Sequence, residues 1–327
     1  MILQFTASQH FDFITQFAGQ ISMPVSDDFL EIPKRMGEGY VRKVTFGNDF
    51  RLLIHCYTLK EDLIIKRDPA VEKSDLLSIF FYNNEQAIEL TYNKDNSIPF
   101  SRNTDSAIQL TTSDLSSTIR FLANTHIQYM VVGITATKLK SLLSIDKSNA
   151  TIKTITTENA SFLFFESMDA ETKLLLKNIA YTNMNDTLSH FYVQIKVEEL
   201  LYLLFSKLSI REHTSYKNIN SADAEKLLLI RNEILSDLGT PPVLSELARI
   251  AAMSESKLKR LFKQTFGDTI YNYFQSARME EAAFLLRQAK RSVSETGYEL
   301  GFSNLSHFSR LFQRHYGITP KKYATTG

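Results

Sequence analysis

At 327 residues the chain is longer than one typical domain, so two are expected; 43% hydrophobic and 22% charged residues are those of an ordinary soluble globular protein, and a single cysteine, Cys56, excludes an internal disulfide and a cysteine-rich zinc module. No lysine or arginine precedes Lys34, so a secretory leader is not expected. No apolar run approaches the ~18 residues needed to cross a membrane, so a cytoplasmic protein with no membrane partner is expected. The net charge of +1 hides a split: residues 241–327 hold 13 Lys+Arg against 7 Asp+Glu, a net +6, which leaves −5 for the remainder.

The first 165 residues or so read mainly as strands. Alternation is clear at 40–46 (YVRKVTF), and Gly47-Asn48 then offers a hairpin turn before 51–59 (RLLIHCYTL). Further strands are expected at 76–82, 87–92, 107–112 and 127–135, with turn-rich stretches such as NKDNS (93–97) between them. Short strands so separated predict a barrel or sandwich, closed by a short helix over 136–143. After about Glu166 the period changes. Over 187–209 apolar residues fall on two helical stripes, one of Leu188, Phe191, Tyr192, Ile195 and Tyr202, the other of Val193, Val197, Leu200, Leu201, Leu204 and Leu208. A helix apolar on two sides needs two partners. One face is expected to cover its own domain and the other to meet a second copy of the chain, with Val197, Leu201, Leu204 and Leu208 as candidate contacts. Burial of both faces in one core is the alternative. REHTSYKNINSAD, residues 211–223, is polar and aperiodic and reads as a linker. A helix is predicted from about 224 to 238, with Leu227, Ile230, Ile234, Leu235 and Leu238 inward, stopped by Gly239 and the prolines at 241 and 242.

The basic end of the chain spells nearly the same phrase twice. IAAMSESKLKRLFKQTFGDTI (250–270) returns as ELGFSNLSHFSRLFQRHYGITP (299–320). Arg260, Leu261-Phe262 and Phe266-Gly267 match Arg310, Leu311-Phe312 and Tyr316-Gly317 at an offset of fifty, while Met253-Ser254 matches Phe302-Ser303 at forty-nine. The second copy therefore carries one extra residue between its turn and its second helix. Each copy has the grammar of a helix-turn-helix. Ser292-Val293-Ser294-Glu295 is a capping-box sequence, Gly301-Phe302-Ser303 is the turn with Ser303 as the expected cap, and the helix that follows buries Phe308, Leu311 and Phe312. That leaves Ser306, His307, Ser309, Arg310, Gln313 and Arg314 outward. The first copy buries Leu258, Leu261 and Phe262 and presents Ser256, Lys257, Lys259, Arg260 and Lys263. Between them, residues 269–288 form an uninterrupted helical stripe of 20 residues, about 30 Å long. Successive major grooves on one DNA face lie about 34 Å apart, so one rigid helix can hold two recognition helices near that separation.

On these residues, 222–324, about a third of the chain, resemble the DNA-binding domain of the AraC/XylS family of bacterial transcriptional regulators. GFSNLSHFSRLFQRHYGITP, closing on Gly317, Thr319-Pro320 and Tyr323, carries most of that signature. The resemblance implies sequence-specific binding to double-stranded promoter DNA and, as in most members of the family, transcriptional activation through contact with RNA polymerase; with no glycine-rich phosphate loop and no nucleophile-elbow motif in the sequence, no catalytic activity and no cofactor are expected. Carried over position by position, the base-reading candidates are Ser256, Lys257, Lys259 and Arg260 in the first recognition helix and Leu305, Ser306, His307 and Arg310 in the second. Arginine suits bidentate contact to guanine, serine pairs with several bases, and Leu305 can touch a thymine methyl. Lys263, Arg314, Lys321 and Lys322 are the phosphate candidates. The chain departs from the family in Thr296-Gly297, where an Ile-Ala pair is usual, in Ala252 where glycine is usual, and in Val243 where a capping serine or threonine is expected.

The resemblance also implies a fold that is α+β overall. It pairs a mainly-β, cupin-like barrel for sensing or regulation (1–165) with a helical dimerisation region and linker (166–221). An all-α DNA-binding domain follows (222–327), with helix-turn-helix units at about 242–265 and 292–315. A homodimer and a small-molecule effector follow from it as partners, and Tyr40, Arg42, His55, Tyr57, Phe80 and Tyr82 are candidate pocket residues, though aromatics at strand spacing also serve as core. Two other readings stay open. A cupin-type metal enzyme fused to a DNA-binding domain would need several histidines and a carboxylate around a metal, and the barrel region offers only His10, His55 and His126, with no HxH pair. A non-specific architectural DNA-binding protein would carry the same basic end.

Overall fold

The computed structural model describes residues 1–6, 12–24, 28–70, 74–84, 88–91, 98–100, 107–144, 150–157, 160–211 and 216–325. The chain forms two compact units, Met1–Glu225 and Lys226–Gly327.

In the first unit β1 (Ile2–Thr6), β5 (Leu63–Asp68), β10 (Ser117–Phe121), β7 (Ile88–Thr91) and β8 (Ile98–Phe100) form one sheet in that order. The other sheet runs β12 (Leu163–Glu166), β9 (Ile108–Thr112), β6 (Leu76–Tyr82), β11 (His126–Thr135), β4 (Phe50–Leu59), β3 (Gly37–Thr45), β2 (Phe29–Glu31). The mainly-β fold expected of this region is thus formed by two sheets. The β3–β4 hairpin closes where Phe46 N donates to Phe50 O over 2.8 Å, and Gly47 takes the positive φ of 113° that the turn requires. Strand β4 is buried on both sides, as its near-continuous apolar run requires. Phe50, Leu52 and Ile54 join a core with helices α4 (Ala170–Ala180) and α5 (Ser189–Ser209), while His55, Tyr57 and Leu59 are buried on the opposite face. Helix α2 (Ala136–Leu143) occupies the expected residues, capped by Thr135. Helices α1 (Phe13–Gln20) and α3 (Ala150–Ile155) and strands β1, β5 and β10 were not expected from the periodicity. In β5 the inward positions are Leu63, Ile65 and Arg67, so a buried arginine breaks the apolar alternation that would have revealed it. The NKDNS turn, the ends of the 87–92 strand, His10 and residues 212–215 of the linker lie outside the described residues.

Helix α5 corrects the expected dimer contacts. Val197, Leu201, Leu204 and Leu208 have at most 2% of their surface exposed, because this stripe packs against the seven-stranded sheet. A side chain with no accessible surface cannot meet a second chain. The other stripe is the open one, with Leu188 at 70%, Phe191 at 60%, Ile195 at 43% and Tyr202 at 68% exposure.

The second unit is all helix. It comprises α6 (Ser221–Ser236) from Lys226 on, α7 (Leu244–Ile250), α8 (Glu255–Phe266), α9 (Ile270–Arg287), α10 (Val293–Glu299), α11 (Leu305–Tyr316) and the unanticipated α12 (Pro320–Thr325). Capping chemistry sets these boundaries. The side chains of Ser254, Thr269 and Ser292 accept from backbone N–H groups at the starts of α8, α9 and α10, and Ser292 and Glu295 complete a reciprocal box. Gly267 and Gly317 end α8 and α11 in the left-handed region. The cap of α11 is Asn304, whose side chain accepts from Ser306 N and His307 N. Ser303, the expected cap, is one residue too early, so the extra residue of the second copy lies inside its turn.

Candidate nucleic-acid interface

The two copies share a backbone as well as a phrase. Ala252 and Gly301 take the left-handed conformation, with φ of 47° and 74°. In each turn the next amide reaches back five residues, Met253 N to Ala248 O at 3.0 Å and Phe302 N to Gly297 O at 2.9 Å. These bonds satisfy carbonyls at the ends of α7 and α10 and set the angle at which α8 and α11 leave.

Along α8, Leu258, Leu261 and Phe262 are buried and Ser256, Lys259 and Arg260 are exposed, while Lys257 and Lys263 are half-buried. Along α11, Phe308 and Phe312 are buried and Leu311 half-buried; Ser306, His307, Arg310, Gln313 and Arg314 are exposed. Lys321 and Lys322 project from α12. Leu305 differs from its neighbours. It is half-buried, and a Cβ added at Gly297 would stand 2.5 Å from Leu305 Cδ2. The glycine that departs from the family pattern therefore leaves the space that Leu305 fills. Leu305 packs on α10 and offers at most part of its side chain to a base.

Two buried arginines that the sequence reading passed over hold the helices together. Arg278 of α9 is 4% exposed; it lies 3.8 Å from the centre of the Phe302 ring and 5.0 Å from that of Phe274, and donates to Leu300 O. Leu300 is the C-cap of α10, so the guanidinium sits at the negative end of that helix and beneath the second turn. Arg231 of α6, 1% exposed, donates from Nε to the Tyr273 hydroxyl at 3.0 Å, and Tyr273 packs edge-on against Phe262 of α8 at 5.4 Å. Their signal was a charged residue next to an apolar helical stripe, which reads equally well as a solvated edge.

Helix α9 spans 18 residues, about 27 Å. The exposed faces of α8, with hydroxyl and cationic groups, and of α11, with an imidazole besides, are chemically suited to base edges and phosphates.

The pocket candidates of the first unit fall on opposite faces of one sheet. Tyr40 and Arg42 pair with Cys56 and Ile54, so their side chains share the helix-covered face; Tyr40 Oη donates to Ala180 O at 3.2 Å, and the Arg42 guanidinium lies 5.0 Å from the Tyr40 ring centre. They belong to no common pocket with the rest. His55 pairs with Tyr129 and Tyr129 with Tyr82, which puts His55, Tyr57, Phe80 and Tyr82 on the other face. There His55 and Phe80 line a cavity of about 70 Å³, His55 stacked on Tyr129 at 4.0 Å, while Tyr57 and Tyr82 are fully buried outside its lining. Among the described residues no three of His, Cys, Asp or Glu come together as a metal site, and no helix is long and apolar enough to cross a membrane.

Residues 247–326 match a family model described as a helix-turn-helix domain. The chain is 25% identical over 182 residues to an uncharacterized HTH-type transcriptional regulator of Haemophilus influenzae, a match covering 49% of this chain and 60% of that protein. It is 32% identical over 101 residues to the HTH-type transcriptional activator RhaR of Yersinia pseudotuberculosis, covering 31% of this chain and 35% of that one. The chain thus spans between a third and three-fifths of these relatives. Among solved structures it is similar to an AraC-type DNA-binding regulator from Chromobacterium violaceum, with 28% identity, 33% of this chain and 100% of that chain covered and a TM-score of 0.30. It is also similar to ToxT from Vibrio cholerae, with 16% identity, 85% and 100% coverage and a TM-score of 0.32.

Proposed function

We propose that this chain, whose carboxyl-terminal unit is an AraC-type helix-turn-helix domain, is a sequence-specific transcriptional regulator that reads two neighbouring major-groove segments of promoter DNA. The observation that carries the reading is the pair of turns with the same backbone hydrogen bonds, each presenting an exposed cationic helix face from one 18-residue scaffold. Arg260 and Lys259 read bases from α8, and Arg310, His307 and Ser306 from α11. Lys263, Arg314, Lys321 and Lys322 fix the register on phosphates. Activation through RNA polymerase is the output, supported by the resemblance and by the relative named an activator. The protein acts in the cytoplasm as a homodimer, through the exposed stripe of α5, and responds to a small molecule held between the two sheets of its first unit.

The test is selection of bound DNA from a random pool by the purified protein over a salt series. Two enriched blocks about one helical turn apart are expected, since an 18-residue scaffold of about 27 Å is long enough to hold two reading helices near the spacing of successive major grooves. Binding that ignores sequence and fades smoothly with salt in the isolated 222–327 segment as well would leave a non-specific architectural protein instead.

A further inference from the structure

The turn between α10 and α11 is held at more than one point. At Gly301 the chain passes so close to the α6–α7 corner that a Cβ would stand 1.9 Å from Gly239 O. From α9 the guanidinium of Arg278 reaches the same turn. Its Nη2 donates to Leu300 O, its Cζ lies 3.8 Å from the centre of the Phe302 ring, and its Nη1 donates to Gln275 Oε1 at 3.4 Å. The Phe274 ring, one turn earlier on α9, lies 5.0 Å away. These partners are all neutral: a carbonyl, an amide and two ring faces. Nε has no hydrogen-bond partner among the described residues, and the whole residue is 4% exposed.

A guanidinium taken out of water is costly unless oriented dipoles and ring faces replace the hydration it lost. Gln275 and Phe274 belong to the same helix as Arg278, whereas Leu300 O and the Phe302 ring belong to the turn. A shift of the turn would leave the buried cation with the groups of its own helix alone, so the turn has one favoured place. Helix α11 starts directly after that turn, and its direction follows from it. The first copy is braced differently, through Arg231 and Tyr273 to Phe262 of α8. A reading face needs support of this kind, because base contacts tolerate only small displacements of the groups that make them. We infer that Arg278 is a positioning residue for α11: it sets base preference in the second DNA segment without reaching a base, and leaves the first segment to α8. The inference rests on the reading that α8 and α11 meet separate groove segments, and it adds what holds one of them in place.

The experiment uses the full-length protein as the natural chain and as Arg278→Met, Arg278→Lys and Phe302→Leu. Each is taken through selection of bound DNA from a random pool, and a parallel selection with Arg310→Ala identifies the block that α11 reads. Amide hydrogen exchange is followed in the free protein at residues 251–253 and 300–302. Arg278→Met is expected to lose base preference about tenfold or more at the block that α11 reads, with the other block unchanged. The amides of Leu300, Gly301 and Phe302 should exchange about tenfold faster, and those of Ala251, Ala252 and Met253 as before. Arg278→Lys keeps the charge and loses the flat group that lies on the ring, so it should show the same pattern more weakly, as should Phe302→Leu. These two variants carry the test if Arg278→Met does not fold. Preference lost equally at both blocks, with faster exchange in both turns, would mean that Arg278 stabilises the unit as a whole and overturns the inference. Two undiminished blocks in every variant at Arg278 overturn it as well. A natural chain that selects no two-block motif removes the two-groove reading instead. The exchange measurement needs no DNA: a change confined to the second turn then upholds the placement of α11 by Arg278, and equal change in both turns overturns it.

Discussion

Ala252 and Gly301 occupy the same place in two turns, and they hold it at different cost. Both are left-handed, with φ of 47° and 74°. That conformation costs an alanine about 1–2 kcal/mol and a glycine almost nothing. Ala252 is exposed, so only its backbone is strained. Gly301 has a second reason to be glycine, because a Cβ there would lie 1.9 Å from Gly239 O. Ala252→Gly is therefore expected to stabilise the carboxyl-terminal unit by about 0.5–1 kcal/mol once the looser unfolded chain is counted. Gly301→Ala should cost roughly 2 kcal/mol or more. Urea unfolding of both variants checks this, and equal effects would mean that the two turns do not share one backbone. The same logic explains Gly297. Inside a helix a glycine costs about 1 kcal/mol relative to alanine, and here it accommodates Leu305.

At the scale of elements, the two helices proposed to read DNA, α8 and α11, make separable claims. Arg260 and Arg310 stand fifty residues apart on equivalent exposed faces. Arg260→Ala and Arg310→Ala should each lower operator affinity by about 1–3 kcal/mol and relax preference at one position, in different halves of the site. Repeating the DNA selection with each variant decides the point; loss of preference at the same base in both would end the two-groove picture. These helices were legible because turn and apolar spacing agree and the repeat states them twice, although the cap of α11 lies one residue later than expected and α7 has no side-chain cap. The sheets were legible only in part. Strands with clean alternation were found, whereas β5 hid behind inward Arg67, and the eight residues of α1 hold too few turns to declare a period despite the Asp12 cap. The pocket was least legible. Tyr40 and His55 have the same look in the sequence, and only the pairing of Tyr40 with Cys56 shows that they face opposite ways.

At the scale of the whole molecule, the open question is what covers α5. Its inward stripe closes the core of the first unit, and a large-to-small change there, such as Leu201→Ala, should destabilise by about 2–5 kcal/mol without altering assembly. The outward stripe places Leu188, Phe191, Ile195 and Tyr202 in solvent along one line, an apolar patch of the kind that marks an interface. A second copy of the chain suits it, because a two-fold axis brings the same stripe against itself and doubles the number of reading helices on one operator. The natural chain, 37.4 kDa, is expected to sediment at twice that mass at micromolar concentration. Phe191→Asp combined with Ile195→Asp should sediment as single chains with an unchanged unfolding midpoint, because neither side chain contributes to the core. The same variant should lose operator affinity while binding an isolated pair of half-site blocks as before. A natural chain that sediments as a monomer, or a doubly substituted chain that remains a dimer, would show that this stripe has another purpose.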